Sequence, residues 1–290
     1  DQSAFHPALC LLDTQWRMHP EISRLVNSAL YHGLLTDAPG MAAQRSMIAG
    51  KPPFPGQAVS YLDVSAFRSL SLKTSSGSRI NVMTALLSVG LASIAAKDSP
   101  AGVISSFAAQ ASLMRSISRD IHDAHPHLSD ITCSTVHQFQ GTEREMIFFD
   151  VTESFPSRNP AVLLTQKQGG TANRLLNVAV TRAEGKLVVL ASEDYLSSRI
   201  PAGYLLTDML RQMSDEGRVI RDRSMLDALS GSPVLSLNPE EAFPRLLDAL
   251  SGAAQDILLS MPMPTVQDPD ALASLAQALV DGKSRGNQGL

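Results

Sequence analysis

Ile131–Thr152 reads ITCSTVHQFQGTEREMIFFDVT. Its two ends, Ile131–Val136 and Met146–Thr152, are short runs rich in β-branched and aromatic residues, the composition of strands covered on both faces. Between them lies a polar connection with one glycine, Gly141, where the backbone can make a turn that larger residues resist. Gln138, Gln140 and Glu143 in this connection can hydrogen-bond a ribose, a water or a phosphate-linked partner. Open parallel sheets bind ligands outside the carboxyl ends of their strands, and the connection leaves one such end. Taken alone, the same residues also make an ordinary turn between strands.

The pattern repeats outward in both directions. Ala58–Val64, Gly102–Ser106 and Lys186–Ala191 are further strand-type runs. Pro20–Tyr31, Asn81–Ala96, Ala108–His122 and Ala172–Ala183 carry apolar residues at spacings of three and four, which predicts helices. Strand and helix in alternation imply an α/β fold with a doubly wound, mainly parallel sheet. Met41–Gln57, with Pro52, Pro53, Pro55, Gly50 and Gly56, and Glu153–Thr171, with its prolines, serines and Gly169-Gly170, read as loose connections.

Composition bounds the rest. The chain has 290 residues, 44% of them hydrophobic, with a formal net charge of -4 and a pI near 6.0. It therefore has an ordinary globular composition and no global basic field, although a local groove can be basic on an acidic protein. Cys10 and Cys133 stand far apart, give neither a disulfide framework nor a zinc spacing, and fit a reducing compartment, with the cytoplasm as the expected location. Val82–Ala96 is the most apolar stretch, but it falls about five residues short of a bilayer span and reads as a buried helix, so no membrane partner is expected. His122, His125 and His127 are closely spaced, yet Pro126 breaks the helix that would align them, and a solvated helix end is the better reading than a metal site. The opening Asp1 and closing KSRGNQGL suggest a piece cut from a longer protein.

Two more segments carry chemistry. In Leu12–Pro20, LDTQWRMHP, Trp16 offers a flat π face and Arg17 a planar, always-charged fork, suited to stacking on a base and gripping a phosphate. Pro20 suits a first helical turn, and Glu21 favours its positive end. In Asn173–Leu190, NRLLNVAVTRAEGKLVVL, Arg182 falls at a helix end just before a strand. An arginine delivered to a triphosphate from a neighbouring domain stabilises the charge developing on the transferred group. The alternative for each is structural: Trp16 packed in a core, and Arg182 paired on the surface with Glu184 or Glu143.

Taken together and in this order, QWRMHP, TVHQFQGTE and LNVAVTRA resemble motifs four, five and six of the superfamily 1 helicases, in the branch that contains the nonsense-mediated-decay RNA helicase and related bacterial proteins. The resemblance covers roughly Leu11–Ser192. Val103–Gln110, VISSFAAQ, is similar to the family segment in which threonine, proline and tyrosine precede an alanine and a glutamine. The resemblance implies a RecA-like P-loop NTPase fold, here its second motor domain, with ATP lying between it and an N-terminal RecA-like domain. It implies that Gln15, Trp16, Arg17, Gly141, Glu143 and Arg182 meet ATP, with Trp16 on adenine and with Arg17 and Arg182 on the γ-phosphate as the catalytic pair. Thr135, Gln138, Ser105 and Phe107 would meet single-stranded DNA or RNA. His137 stands where many members have aspartate, and Ser105, Ser106 and Phe107 replace the threonine, proline and tyrosine. No G-x-x-x-x-G-K-[ST] loop occurs in the chain, so the triphosphate cradle and the ligands of Mg²⁺ are expected from upstream sequence, and this stretch alone should not hydrolyse ATP.

These readings divide the chain into residues 1–195, the motor domain; 196–238, peripheral helices and a linker; and 239–290, an incomplete α/β tail that resembles the start of a phospholipase-D-like domain. The function implied is that of the C-terminal motor domain of an ATP-dependent DNA or RNA helicase. The competing reading is a catalytically inactive, helicase-like binding module within a larger protein.

Overall fold

The computed structural model describes residues 13–161, 164–165, 171–229 and 231–232, all within the first of the chain's two units, Asp1–Val234. The expected phospholipase-D-like tail, residues 239–290, lies outside the described residues. In chain order the described elements are β1 (Thr14–Gln15), α1 (Pro20–Leu30), β2 (Thr36–Asp37), α2 (Met41–Ala49), β3 (Val59–Asp63), β4 (Leu72–Lys73), β5 (Arg79–Ile80), α3 (Val82–Ala95), β6 (Ala101–Ser105), α4 (Ala108–Ala124), β7 (Ile131–Thr135), β8 (Arg144–Asp150), α5 (Thr171–Val180), β9 (Ala183–Ala191), α6 (Glu193–Arg199), α7 (Leu205–Asp215), β10 (Val219–Ile220) and α8 (Asp222–Leu229). Six strands form one parallel sheet in the order β10-β3-β9-β8-β6-β7. This is the RecA-like α/β fold.

Successive side chains of a strand point to opposite faces, and β8 feeds two cores. Ile147 and Phe149 pack with α1, α5 and α7 through Ile22, Leu25, Ala179 and Met209. Met146 and Phe148 face α3 and α4 through Leu91, Ala92 and Met114. Burial on both faces is why the strand reads as an unbroken apolar run. Removing each of these phenylalanines from water is worth about 1.5–3 kcal/mol. The apolar helix α3 is spent on the second core, and among the described residues no helix is long and apolar enough to cross a membrane.

The structure differs from the sequence reading in two places. Met41–Gln57 is not wholly loop: its first half is α2, which lies so close to β9 that a Cβ on Gly185 would sit 2.4 Å from Ile48 Cβ. The proline-rich half is held by Lys186, a fully buried side chain of β9 whose ammonium donates to the carbonyls of Lys51, Pro53 at 2.5 Å and Phe54 at 3.1 Å. Burial pulls its pKa down to about 8. Second, residues after 195 are part of the domain. β10 adds a sixth strand beside β3, and α8 packs Met225 and Leu229 into the second core.

The β7–β8 connection has an unusual form. Parallel strands are usually joined by a crossover of a dozen or more residues containing a helix, but here residues 136–143 suffice to pass from β7, over β6, to β8. So short a crossover must lie flat on the sheet. Phe139 is buried against β6 where Gly102 leaves room; a Cβ on Gly102 would meet Phe139 Cζ at 2.7 Å. The connection therefore starts at the carboxyl end of the sheet, with Thr135 beside Ser105, and finishes at the amino end, where Arg144 pairs with Ala183.

Candidate nucleotide site

The turn at Gln15–His19 is built by one amide. Gln15 Oε1 accepts from the backbone N–H of Arg17 at 2.9 Å and of Met18 at 2.7 Å, while Nε2 donates to Met18 O at 2.9 Å and Asp37 Oδ1 at 2.5 Å. With these contacts met, Met18 turns into the core and Trp16 points out, 68% exposed. The core-packed reading of this tryptophan is thus excluded, and Gln15 shapes the turn with both ends of its amide already engaged. Pro20 opens α1 as expected, and His19 caps it, its Nδ1 accepting from Glu21 N at 3.2 Å. Burial holds the His19 imidazole below its ordinary pKa.

Arg17 donates through Nε to Glu143 Oε2 at 2.5 Å, and through Nη1 to Thr181 O at 3.4 Å. Arg182 sits beside them at the foot of β9, donating from Nε to Val178 O at 3.2 Å and from Nη1 to Thr142 O at 3.3 Å. The two carboxylates that could neutralise Arg182 are otherwise engaged: Glu143 with Arg17 and Glu184 with Arg45 at 2.7 Å. Burial, and then the positive charge of Arg17, hold the Arg182 pKa below its usual value. Gly141, at φ 88°, takes the left-handed turn that lets the crossover reach this edge.

Residues from three separate motifs thus line one cavity of about 480 Å³: Gln15, Trp16 and Arg17 from the first, Glu143 from the second, and Asn177, Val178, Thr181 and Arg182 from the third. Met18, Tyr31, Leu35 and Arg45 complete it. These last three, with Asn177 and Thr181, were not anticipated from sequence. Asn177 and Thr181 stood within the quoted motif, about one helical turn apart with Thr181 next to Arg182, and that spacing was the available signal; nothing local marks Tyr31 or Arg45. The Asn177 amide donates to Tyr31 Oη at 2.9 Å, but its Oδ1 is buried without a partner, as is Nε of Arg45. A wall with an unused acceptor, an unneutralised arginine and an exposed indole fits a nucleotide: a base with donors and an anionic tail. Among the described residues no group of three or more His, Cys, Asp or Glu side chains is placed to hold a metal ion. His122, His125 and His127 lie at and beyond the end of α4.

Ligand binding was expected outside the carboxyl ends of the strands, yet this cavity opens at the amino ends of β8 and β9, since Glu143 and Arg182 immediately precede those strands. The residues expected to touch nucleic acid gather at the opposite edge. Thr135 closes β7 and its hydroxyl donates to Gln138 Oε1 at 3.3 Å. Phe107 starts α4, half-buried. Ser105 is fully buried, its hydroxyl 2.9 Å from Thr152 Oγ1 and accepting from Phe107 N at 3.2 Å, so it positions its neighbours and presents nothing to a strand.

Sequence reasoning missed the polar network beneath this second edge. Gln110 Nε2 donates to Asp150 Oδ2 at 2.6 Å and Asn81 O at 2.9 Å, and Gln110 Oε1 accepts from Asn81 N at 2.8 Å. Asp150, fully buried, is pushed up to about 6 by desolvation, which these hydrogen bonds and those from Thr84 and Thr152 only partly offset. The signal was Gln110 itself, the last residue of VISSFAAQ.

A protein family described as an AAA domain matches residues 2–194 of the chain. Helicase sen1 of Schizosaccharomyces pombe is 26% identical over 247 residues, 83% of this chain and 14% of that protein. The chain belongs to the AAA-domain family, in the superfamily 1 helicase branch. Helicase SEN1 of Saccharomyces cerevisiae is 27% identical over 274 residues, covering 90% of this chain and 11% of the yeast protein. A probable helicase of Dictyostelium discoideum is 28% identical over 194 residues, or 64% of this chain and 18% of its own length. The chain thus spans less than a fifth of each of these relatives. A helicase-type motor domain accounts for the gathering of three motifs on one cavity.

Proposed function

We propose that this chain is the second motor domain of an ATP-dependent helicase, which couples ATP hydrolysis to movement along single-stranded DNA or RNA and to unwinding. The carrying observation is Arg182, an arginine without a carboxylate partner among the described residues, beside Arg17 in a cavity rimmed by exposed Trp16. Bound ATP, with its Mg²⁺, supplies the phosphoryl bond whose hydrolysis drives the cycle. The protein side is positioning and charge.

Trp16 stacks on the base, and the free Asn177 Oδ1 accepts one of its hydrogen bonds. Arg17 exchanges Glu143 for phosphate oxygen, and Arg182, held by two backbone carbonyls, turns its remaining donors to the same charge. The triphosphate cradle and metal ligands come from an N-terminal RecA-like domain closing on this face. Residues 136–143 join the two edges of the sheet, so a shift of Glu143 at the nucleotide edge pulls on Gln138 and Thr135 at the strand edge.

Trp16 is the single tryptophan of these 290 residues, and the difference in emission between the full-length protein and its Trp16→Phe variant reports the site. ATP added to the full-length protein should change tryptophan fluorescence saturably, and Asn177→Ala should weaken the response about fivefold to tenfold, the value of one hydrogen bond to an otherwise unpaired group. An emission indifferent to ATP would remove the base site from Trp16.

A further inference from the structure

At the carboxyl edge of the sheet the β4–β5 hairpin is stitched to residues 152–159. Ser71 N donates to Phe155 O at 3.0 Å, Ser154 Oγ to Ser69 O at 2.7 Å, and Arg79 pairs with Glu153 at 2.7 Å while donating to Ser157 Oγ and Asn159 O, both at 2.6 Å. Ser78 Oγ accepts from Ala109 N at 3.1 Å, which joins the hairpin to the start of α4 next to Phe107. The result is one continuous surface, fixed by hydrogen bonds.

Phe155 is 43% exposed, braced edge-on by Tyr195 at 5.3 Å, with the Arg199 guanidinium over its ring at 6.0 Å. Leu70 and Leu72 are exposed beside it. Arg68, Lys73, Arg158 and Arg199 are exposed, and none has a carboxylate within ion-pair distance among the described residues. Of the carboxylates on these elements, Glu153 is buried and paired with Arg79, Glu193 is paired with Arg221, and Asp194 on α6 is exposed. On a chain of net charge -4 this sets four unpaired cations, Arg199 of the arginine–phenylalanine pair among them, against one exposed carboxylate.

Cations with no internal partner, set among flat apolar faces, fit a polyanion whose repeating units also carry flat faces. We infer that the β4–β5 hairpin and the Phe155–Arg199 pair form a stacking platform for single-stranded nucleic acid, extending the strand edge beyond Thr135, Gln138 and Phe107. The inference rests on the proposed helicase reading for the direction of the track, and on this surface for its residues. Bases stack at Phe155 and Arg199, while Lys73, Arg68 and Arg158 take backbone phosphates. Recognition through stacking and phosphate carries little base preference.

The test is fluorescence anisotropy of a labelled mixed-sequence single strand, as RNA and as DNA, on the full-length protein across a salt series, with polyglutamate as competitor. Phe155→Leu keeps an apolar group against Tyr195 but removes the flat face, and should weaken binding about tenfold; Phe155→Tyr should restore it. Lys73→Ala should lower the slope of log affinity against log salt by about 0.7. Wild-type affinity and salt slope in both Phe155→Leu and Lys73→Ala, with the parent binding normally, would overturn the platform alone. A parent that binds no strand would overturn the helicase reading with it. Displacement of the strand by polyglutamate at matched charge would overturn it in favour of an acidic protein partner.

Discussion

The flat β7–β8 crossover depends on Gly102, and Gly102→Ala is expected to show how tightly. The added Cβ would lie 2.7 Å from Phe139 Cζ and 2.9 Å from Ile147 Cδ1, whereas carbon atoms settle at about 3.5–4.0 Å. Some 0.8 Å must therefore be found, roughly the difference between 2.7 Å and the lower bound of ordinary contact. Both neighbours are at most 1% exposed, so there is no free space to move into. Replacing glycine within a strand by itself favours folding by about 0.5–1 kcal/mol. Overpacking costs about 1–3 kcal/mol and should win. Because both neighbours are buried, the upper half of the overpacking range applies, about 2–3 kcal/mol, which less the glycine gain leaves about 1–2.5 kcal/mol; at about 2–4 °C per kcal/mol for a domain of this size, Gly102→Ala should melt roughly 2–10 °C lower. Phe139→Leu removes Cζ and Cε2, the two Phe139 atoms that crowd the new Cβ, while Ile147 Cδ1 stays, and costs about 1–2 kcal/mol alone. The double variant should be more stable than the sum of the singles by about 1 kcal/mol, read by equilibrium urea denaturation. Because the same loop carries Glu143, Gly102→Ala should also lower affinity for a fluorescent ATP analogue, and Phe139→Leu should restore part of it. Strict additivity, or a Gly102→Ala protein as stable as the parent, would refute the crossover packing.

The remaining predictions concern α2 and the buried carboxylate. Gly185→Ala places its Cβ 2.4 Å from Ile48 Cβ, an atom next to the backbone; the helix itself must retreat, and a loss of about 2–3 kcal/mol is expected in urea titrations, with Arg45 drawn away from Glu184. For Asp150, burial sets the folded pKa at about 6, above the unfolded value of about 3.9. Between those values the folded chain holds the extra proton, so this group's contribution improves as pH falls through 6 and worsens as pH rises. Asp150→Asn removes that dependence: the stability of wild type relative to the variant should increase on going from neutral pH to about pH 4, and a gap that stays constant or shrinks would contradict the buried, desolvated carboxyl.

Much of the sheet could be read in advance because doubly buried strands such as MIFFDVT announce themselves as apolar runs between helical periodicities. What escaped notice depends on partners far away in sequence. β10 is two residues long and exists through pairing with β3. α2 has little amphipathic pattern of its own and is fixed by Gly185 and Lys186. The motifs singled out Trp16, Arg17, Glu143 and Arg182, which the structure brings to one cavity, because each stands within a recognisable local string. Their location at the amino ends of β8 and β9 was not legible, since it follows from an eight-residue crossover running the whole length of β6. The division of labour within the strings was also hidden. Gln15 and Ser105 lie among candidate contacts, but their hydrogen bonds are directed inward.

In the proposed function Arg182 acts on a nucleotide held at this edge. Its most direct test is ATP hydrolysis by the full-length protein, with and without single-stranded DNA or RNA, beside Arg182→Ala. Hydrolysis stimulated by a strand is expected, with a fall of about 10³-fold or more in the variant and nucleotide binding partly retained in the Trp16 signal. Full turnover in Arg182→Ala would contradict it.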